Sequence, residues 1–294
     1  MSALRTTVLV GAALVAFAGN SILCRAALAT GHADPATFTA VRLVAGAVVL
    51  AALVRIRGGS LGAARAGTGL RTLALFAYAS LFSWAYVRIP AGVGALVLFG
   101  FVQLTMIAAA VRAGAGPRGV QWAGIGLALA GLAALALRGA TAPDPLGVGM
   151  MAGAGVAWGV YTLRGRRLSA PLSTTATSFL GAVPLALVTL GVVAGLGGLR
   201  SDATGLACAL ASGGLASGLG YAVWYAVLPS IDTTRAAAVQ LAVPVLAAAA
   251  GVVVLGEALT ARLVGASAAV LLGIALATIR SRRVRPEVHQ SGGR

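Results

Sequence analysis

Ten times along this chain an apolar run recurs that is about as long as a lipid bilayer is thick. The runs lie near residues 6–26, 36–54, 71–88, 91–111, 119–138, 146–164, 174–197, 203–228, 234–255 and 260–280. A hydrocarbon core about 30 Å deep takes roughly 20 helical residues, each rising about 1.5 Å. Ten such spans leave only short connections and no room for a soluble catalytic domain. Helices are the spanning element to expect, because each segment must satisfy its own backbone polar groups and the runs are too long and too uniformly apolar for barrel strands. The first run lacks a short apolar region followed by a cleavage site, so it reads as a retained span rather than a signal peptide.

Charge carries the orientation. Only 10% of the 294 residues are charged and 59% are apolar, where a soluble domain carries about 25% charged residues. The net charge is +16, from 22 basic against 6 acidic residues, a balance that first suggests nucleic acid. Placement excludes that partner: the charges sit between apolar runs or after the last one. All the basic residues are arginine, which fits a GC-rich coding bias. With the N-terminus inside, sixteen arginines fall on the cytoplasmic side: Arg5, Arg55, Arg57, Arg65, Arg71, Arg112, Arg118, Arg164, Arg166, Arg167, Arg235, Arg280, Arg282, Arg283, Arg285 and Arg294. Six (Arg25, Arg42, Arg88, Arg138, Arg200 and Arg262) fall on the other. By the positive-inside rule the chain is a multi-pass protein of the cytoplasmic membrane with both termini cytoplasmic and the lipid bilayer as its partner.

Catalytic chemistry finds no footing. Cys24 and Cys208 lie in apolar runs, where a thiol behaves as a small hydrophobe, and no second soft ligand stands at metal-binding spacing. Asp34, Asp144, Asp202 and Asp232 fall in loops, Glu287 and His289 in the tail, His32 in a loop, and Glu257 at a helix end, where it reads as a cap or turn residue. No nucleophile, base and orienting group come together, so no enzyme, metal or cofactor is expected. No carboxylate or histidine occupies a span centre either, which points to movement down a gradient rather than a buried proton relay.

The chain divides near Pro143-Asp144-Pro145 into two halves that resemble each other: 1–142 and 143–280, each with five spans, followed by a basic cytoplasmic tail, 281–294. Phe17 to Asn20 align with Trp158 to Tyr161, and the glycine-bearing run Gly124 to Gly131 with Gly265 to Gly273. Five is odd, so the second half enters the membrane upside down. The expected fold is an all-α membrane protein of ten transmembrane helices arranged as two inverted five-helix repeats, an arrangement that places a substrate site near the midplane and alternates its access.

Polar and aromatic residues inside the spans mark candidate cavity walls. Asn20 in the first span, Ser83 and Trp84 in the third, Gln103 in the fourth, Trp158 and Tyr161 in the sixth, Tyr221 and Trp224 in the eighth and Gln240 in the ninth recur on helix faces. Buried amides, indoles and phenols in lipid need partners, which turns them toward the bundle interior; the alternative is that the amides are interhelical glue and Trp84 an interfacial residue. Pro244 lacks an N–H and should kink the ninth helix, freeing the carbonyl of Gln240, on a face shared with Thr233 and Ala237. Gly149 and Gly153, Gly191 and Gly195, and Gly214 and Gly218 have the small-xxx-small spacing of close helix packing. Arg42 lies about two turns inside its span, where a charge costs about 3 kcal/mol or more. It either snorkels outward, as Arg25 would, or faces the cavity and pairs with an anionic substrate group.

Several motifs carry a resemblance to a known family. Asp34-Pro35-Ala36-Thr37-Phe38-Thr39-Ala40-Val41-Arg42 opens the second span, and Ala157-Trp158-Gly159 lies in the sixth. Ala236-Ala237-Ala238 leads through Gln240 and Pro244 to Leu255-Gly256-Glu257-Ala258-Leu259-Thr260 and then Gly265. Over residues 6 to 280 the chain resembles the EamA-type permeases of the drug/metabolite transporter superfamily. The first repeat departs from the pattern, with Gly114-Ala115-Gly116 where a Gly-Glu would stand and Gln103 near the counterpart of Pro244. The resemblance implies a transporter of small organic solutes (amino acids, related metabolites or amphipathic drugs), an exporter or facilitator with alternating access. A membrane-embedded enzyme or lipid-handling protein is the alternative, and it would need a charged or nucleophilic cluster at an interface.

Overall fold

The start of the second apolar run shows how local chemistry sets a helix end. Asp34 has extended backbone, and its Oδ1 accepts the N–H groups of Ala36 and Thr37, each at 2.9 Å. Pro35 follows at the first helical position, where its missing N–H costs nothing. The same carboxylate reaches across the fold, its Oδ2 accepting the Arg200 N–H at 3.0 Å.

The computed structural model describes residues 2–61, 68–114, 119–136, 142–165, 170–231 and 239–278. Thr233, Ala237, Asp232, Glu287, His289, Ala115 and Gly116 lie outside them, as do Arg65, Arg118, Arg138, Arg166, Arg167, Arg235 and the arginines from Arg280 onward. The described residues form ten helical rods: α1 (Ala3–Ala29), α2 (Pro35–Ile56), α3 (Thr68–Tyr86), α4 (Ala91–Arg112), α5 (Gly119–Ala136), α6 (Pro145–Gly165), α7 (Pro171–Gly195), α8 (Ala203–Ser230), α9 (Ala242–Leu255) and α10 (Ala261–Thr278). Among the described residues there is no strand, only an isolated bridge between Ala33 and Ser201.

Seven rods, α1, α2, α4, α6, α7, α8 and α10, are long and apolar enough to cross a bilayer. α9 is shorter at 14 residues, and α5 is an apolar rod with segments outside the described residues on both sides. α3 is less apolar because Arg71, Thr72, Ser80 and Ser83 lie within its 19 residues. Large apolar side chains face outward along the bundle, with Val48 62%, Val188 67% and Val253 83% exposed, a surface a lipid environment accepts and water does not. The chain is therefore an all-helical, integral multi-pass membrane protein.

The paired glycines singled out by spacing divide: a Cβ on Gly218 would meet the Val49 side chain at 2.8 Å and one on Gly153 the Leu81 side chain at 3.1 Å, so these two are closely packed. Gly149, Gly191 and Gly195 have open space where a Cβ would stand. Another close crossing joins α5 to α10. A Cβ on Gly124 would meet the Ala277 nitrogen and the Gly273 carbonyl oxygen at 2.6 Å, and one on Gly273 would meet the Gly124 carbonyl oxygen at 2.6 Å. Spacing along one helix shows where backbones could approach; the surface of the partner helix decides where they do.

α8 is not uniform. Ala203–Ala211 is α-helical, Ser212–Leu219 is a π-helix, and Gly220–Val227 resumes the α form before a short 3-10 end at Leu228–Ser230. Gly213 in the wide turn lies directly against the Arg42 carbonyl, which leaves no room for a side chain. Pro244 sits in the first turn of α9, after a turn at Leu241 that separates Val239 and Gln240 from it. The expected mid-helix kink is thus a break at Leu241, and the proline occupies a position where its missing N–H is not needed.

Candidate functional site

A cavity of about 470 Å³ occupies the middle of the bundle. Its wall combines α1, α3 and α4 of the first half with α6, α7 and α8 of the second, and Gln240. It runs toward the end of the bundle where α6 stops at Gly165 and α7 begins at Pro171, with Leu228 and Ile231 also on its wall. The opposite end, marked by His32, is shut. There Asp34 N–H donates to the Arg200 carbonyl at 2.7 Å and Asp202 N–H to the His32 carbonyl at 3.0 Å. The His32 ring lies 2.6 Å from the Asp202 carboxylate, and Arg88 pairs with Asp144 at 3.6 Å. The Gly205 N–H and the His32 ring hold the Asp202 carboxyl below its ordinary value.

Seven of the residues singled out by sequence line this one space: Asn20, Gln103, Trp158, Tyr161, Tyr221, Trp224 and Gln240. Their rings form a ladder. Tyr161 stacks on Trp158 with centroids 5.1 Å apart, Trp158 on Tyr221 at 5.5 Å, and Tyr221 on Tyr225 at 6.2 Å. Thr175 ties two of the ladder's three phenols together, at 3.1 Å from the hydroxyl of Tyr161 and 3.1 Å from that of Tyr225. Offset stacking and satisfied hydroxyls make a rigid wall that presents flat apolar faces with polar edges.

Three expected residues lie elsewhere. Trp84 is on the outer surface, 39% exposed, away from the cavity. Ser83 is fully buried, accepting from Thr39 Oγ1 at 2.8 Å and donating to the Ala79 carbonyl at 3.0 Å. Arg42 neither snorkels nor lines the wall: it is 1% exposed and lies behind Tyr78 and Phe82. Its Nη2 donates to the Tyr78 hydroxyl at 3.0 Å, and its guanidinium sits 4.8 Å over the Phe82 ring and 5.3 Å over that of Tyr78. Nε and Nη1 of Arg42 have no hydrogen-bond partner. The network continues inward, since Asn20 Nδ2 donates to the Tyr78 hydroxyl at 3.3 Å and Asn20 Oδ1 accepts from Ser212 in the π-helix at 2.5 Å.

Tyr78 and Phe82 are among the wall residues that the sequence reading missed, as are Tyr225 and Thr175. Successive helical residues turn by about 100°, so Trp84, six places after Tyr78, points about 240° away from it. The signal was the aromatic stripe Tyr78, Phe82 and Tyr86 at spacing four, which outweighs the serines of the neighbouring face. Arg25 does not snorkel either. It pairs with Glu257 at 3.1 Å, so Glu257 is an ion-pair partner as well as a turn residue.

A lipid-facing helical bundle built from two halves around an aromatic, uncharged central cavity defines a membrane-transporter class of fold and site. The EamA-like transporter family matches residues 5–137 and again 145–279, and the chain belongs to that family. An uncharacterized protein of Pseudomonas aeruginosa is 50% identical over 272 residues, covering 92% of this chain and 94% of that one. An uncharacterized transporter of Archaeoglobus fulgidus is 30% identical over 154 residues, 51% of this chain and 55% of its own. A solved crystal structure superposes with a TM-score of 0.63 at 24% identity, covering 91% of this chain and 97% of its own, a likeness of fold alone.

Proposed function

We propose that this protein moves small organic solutes across the cytoplasmic membrane by alternating access, as an exporter or facilitator, with the central cavity as its solute site. The observation that carries this reading is the wall itself: both halves contribute to it, it is aromatic with polar edges, and it runs to one end of the bundle while the other is shut. The ten rods are the ten spans of two inverted five-helix repeats, with the Gly165 end cytoplasmic because the arginines gather there. Amino acids, related metabolites and amphipathic drugs fit a space of this size and chemistry. Described carboxylates stand at the His32 end, so among the described residues the fixed charges near the cavity are cations: Arg71, whose charge acts on Tyr161, and the Arg42 guanidinium, one side chain behind the wall. These charges favour a solute bearing a carboxylate over a cation.

The test is a solute screen with the purified protein in liposomes, with and without a pH gradient. Flux of a neutral or zwitterionic amino acid that ignores the gradient is the expected result. Strict dependence on the gradient would overturn the facilitated mechanism, and absence of flux across the whole screen would count against transport.

A further inference from the structure

Alternating access requires one end of the cavity to be shut at a time, and at the His32 end one side-chain pair clasps three parts of the bundle. Arg25, near the end of α1, donates Nε to Glu257 Oε1 at 3.1 Å and Nη1 to the carbonyls of Tyr86 at 2.7 Å and Val87 at 3.2 Å. Glu257 in turn accepts the Ala91 N–H, at 3.1 Å through Oε1 and 2.8 Å through Oε2. Helix α1, the turn between α3 and α4, and the turn between α9 and α10 thus meet at one ion pair whose side chains are 19% and 14% exposed. A pair this enclosed, with Arg25 Nη1 and both carboxylate oxygens also bound to backbone, is not the loose surface kind that contributes nothing. Its position is built in. Gly256 ends α9 in the left-handed conformation, φ +65°, and the Glu257 N–H returns to the Gly251 carbonyl at 3.1 Å, which aims the carboxylate back at α1 and α4.

Nothing equivalent stands at the matching sequence positions of the other half. A shift of about 141 residues carries Phe17 onto Trp158, Asn20 onto Tyr161, Gln103 onto Pro244 and Gly124 onto Gly265. The same shift carries Arg25 onto Arg166, so the cation recurs. It carries Gly116 onto Glu257, so the carboxylate has no counterpart. Both Arg166 and Gly116 lie outside the described residues, and only their identity enters here.

We infer that Arg25 and Glu257 form a one-sided latch: they are positioning residues whose ion pair holds the His32 end shut, so that the resting protein waits with its cavity open at the Gly165 end and loads solute there first. The inference rests on the transport reading above and adds to it a preferred resting state and the residues that set it. A contact present in one of two states shifts the population toward that state by its differential free energy, and removing it shifts the population back.

The chain carries its own reporter. Cys24, next to Arg25, is 0% exposed and is absent from the cavity wall, so it meets water only when the His32 end opens. In purified protein held in lipid nanodiscs, with Cys208→Ser leaving a single thiol, the rate of labelling by a polar maleimide reads that end. A companion protein carrying Cys24→Ser, Cys208→Ser and Thr162→Cys reads the other end, since Thr162 lines the cavity. Glu257→Gln and Arg25→Gln should each raise Cys24 labelling at least tenfold and lower labelling at position 162. Unchanged rates at both positions overturn the latch. A rise at both positions also overturns it, because that is local unfolding rather than alternation. Solute flux by the unsubstituted protein, measured in parallel, keeps the two ideas apart. Flux without reciprocal labelling sinks the latch and leaves transport standing, whereas no flux and no reciprocal change count against transport itself.

Discussion

Arg42 donates Nη2 to the Tyr78 hydroxyl at 3.0 Å, which places a buried charge directly behind a residue of the cavity wall. A charge inside a span costs about 3 kcal/mol on insertion scales. One hydrogen bond from a charged donor returns roughly 1.5–3 kcal/mol, and a desolvated cation over aromatic rings about 2 kcal/mol. The two stabilising terms are of the size of the cost, so Arg42 can be held in the bundle interior without a carboxylate.

Neutralising that charge while keeping its shape tests its part in selectivity. Arg42→Gln should insert normally and lose about tenfold in the flux of carboxylate-bearing solutes in liposomes, with uncharged solutes affected far less. Equal flux of both kinds before and after the change would confine Arg42 to a packing role.

Tyr78→Phe keeps the ring and removes the acceptor shared by Arg42 and Asn20. A buried charged donor is then left without a partner, and stability should fall by about 2 kcal/mol or more. Thermal unfolding in detergent reads this as a lowered midpoint. An unchanged midpoint would mean that the rings alone support the guanidinium.

The α5–α10 crossing should tolerate no side chain. Gly124→Leu and Gly273→Leu each push a Cβ into backbone atoms at 2.6 Å and should cost at least 1–3 kcal/mol as the helices separate. Gly149→Leu, where a Cβ meets open space, is the control and should leave the midpoint within about 0.5 kcal/mol of the parent.

At the His32 end the acid response should pass through Asp202. Its folded-state carboxyl is held low by the Gly205 N–H and by His32. Its contribution is therefore present above the unfolded carboxylate value, about 3.9, and is lost as pH falls through the lower folded value. Thermal melts in detergent between pH 5 and pH 2 should show a stability loss below about pH 4. Asp202→Asn should make that loss smaller; an equal loss in the variant would assign it to other groups.

The membrane class and the all-helical fold could be read from the sequence, because long apolar runs are a global signal that no single contact can reverse. Part of the cavity wall could be read too, since Asn20, Trp158, Tyr161, Tyr221 and Trp224 are conspicuous in lipid. Helix rotation was not legible. In α3 the serines suggested one face and the aromatic stripe another, and only packing against Trp158, 4.7 Å from Tyr78, fixed which turned inward. Nor were long-range pairs legible: Arg25 and Glu257 are 232 positions apart, and each alone reads as an ordinary helix-end charge.

The glycine crossing of α5 and α10 also sets a timetable. Gly124 is synthesised 149 residues before Gly273, roughly 7–30 s at ribosomal speeds of about 5–20 residues per second. Throughout that interval α5 carries the glycine surface that α10 covers in the finished bundle. This crossing therefore forms only once α10 has been made, and a chain cut short before α10 leaves the glycine face of α5 uncovered.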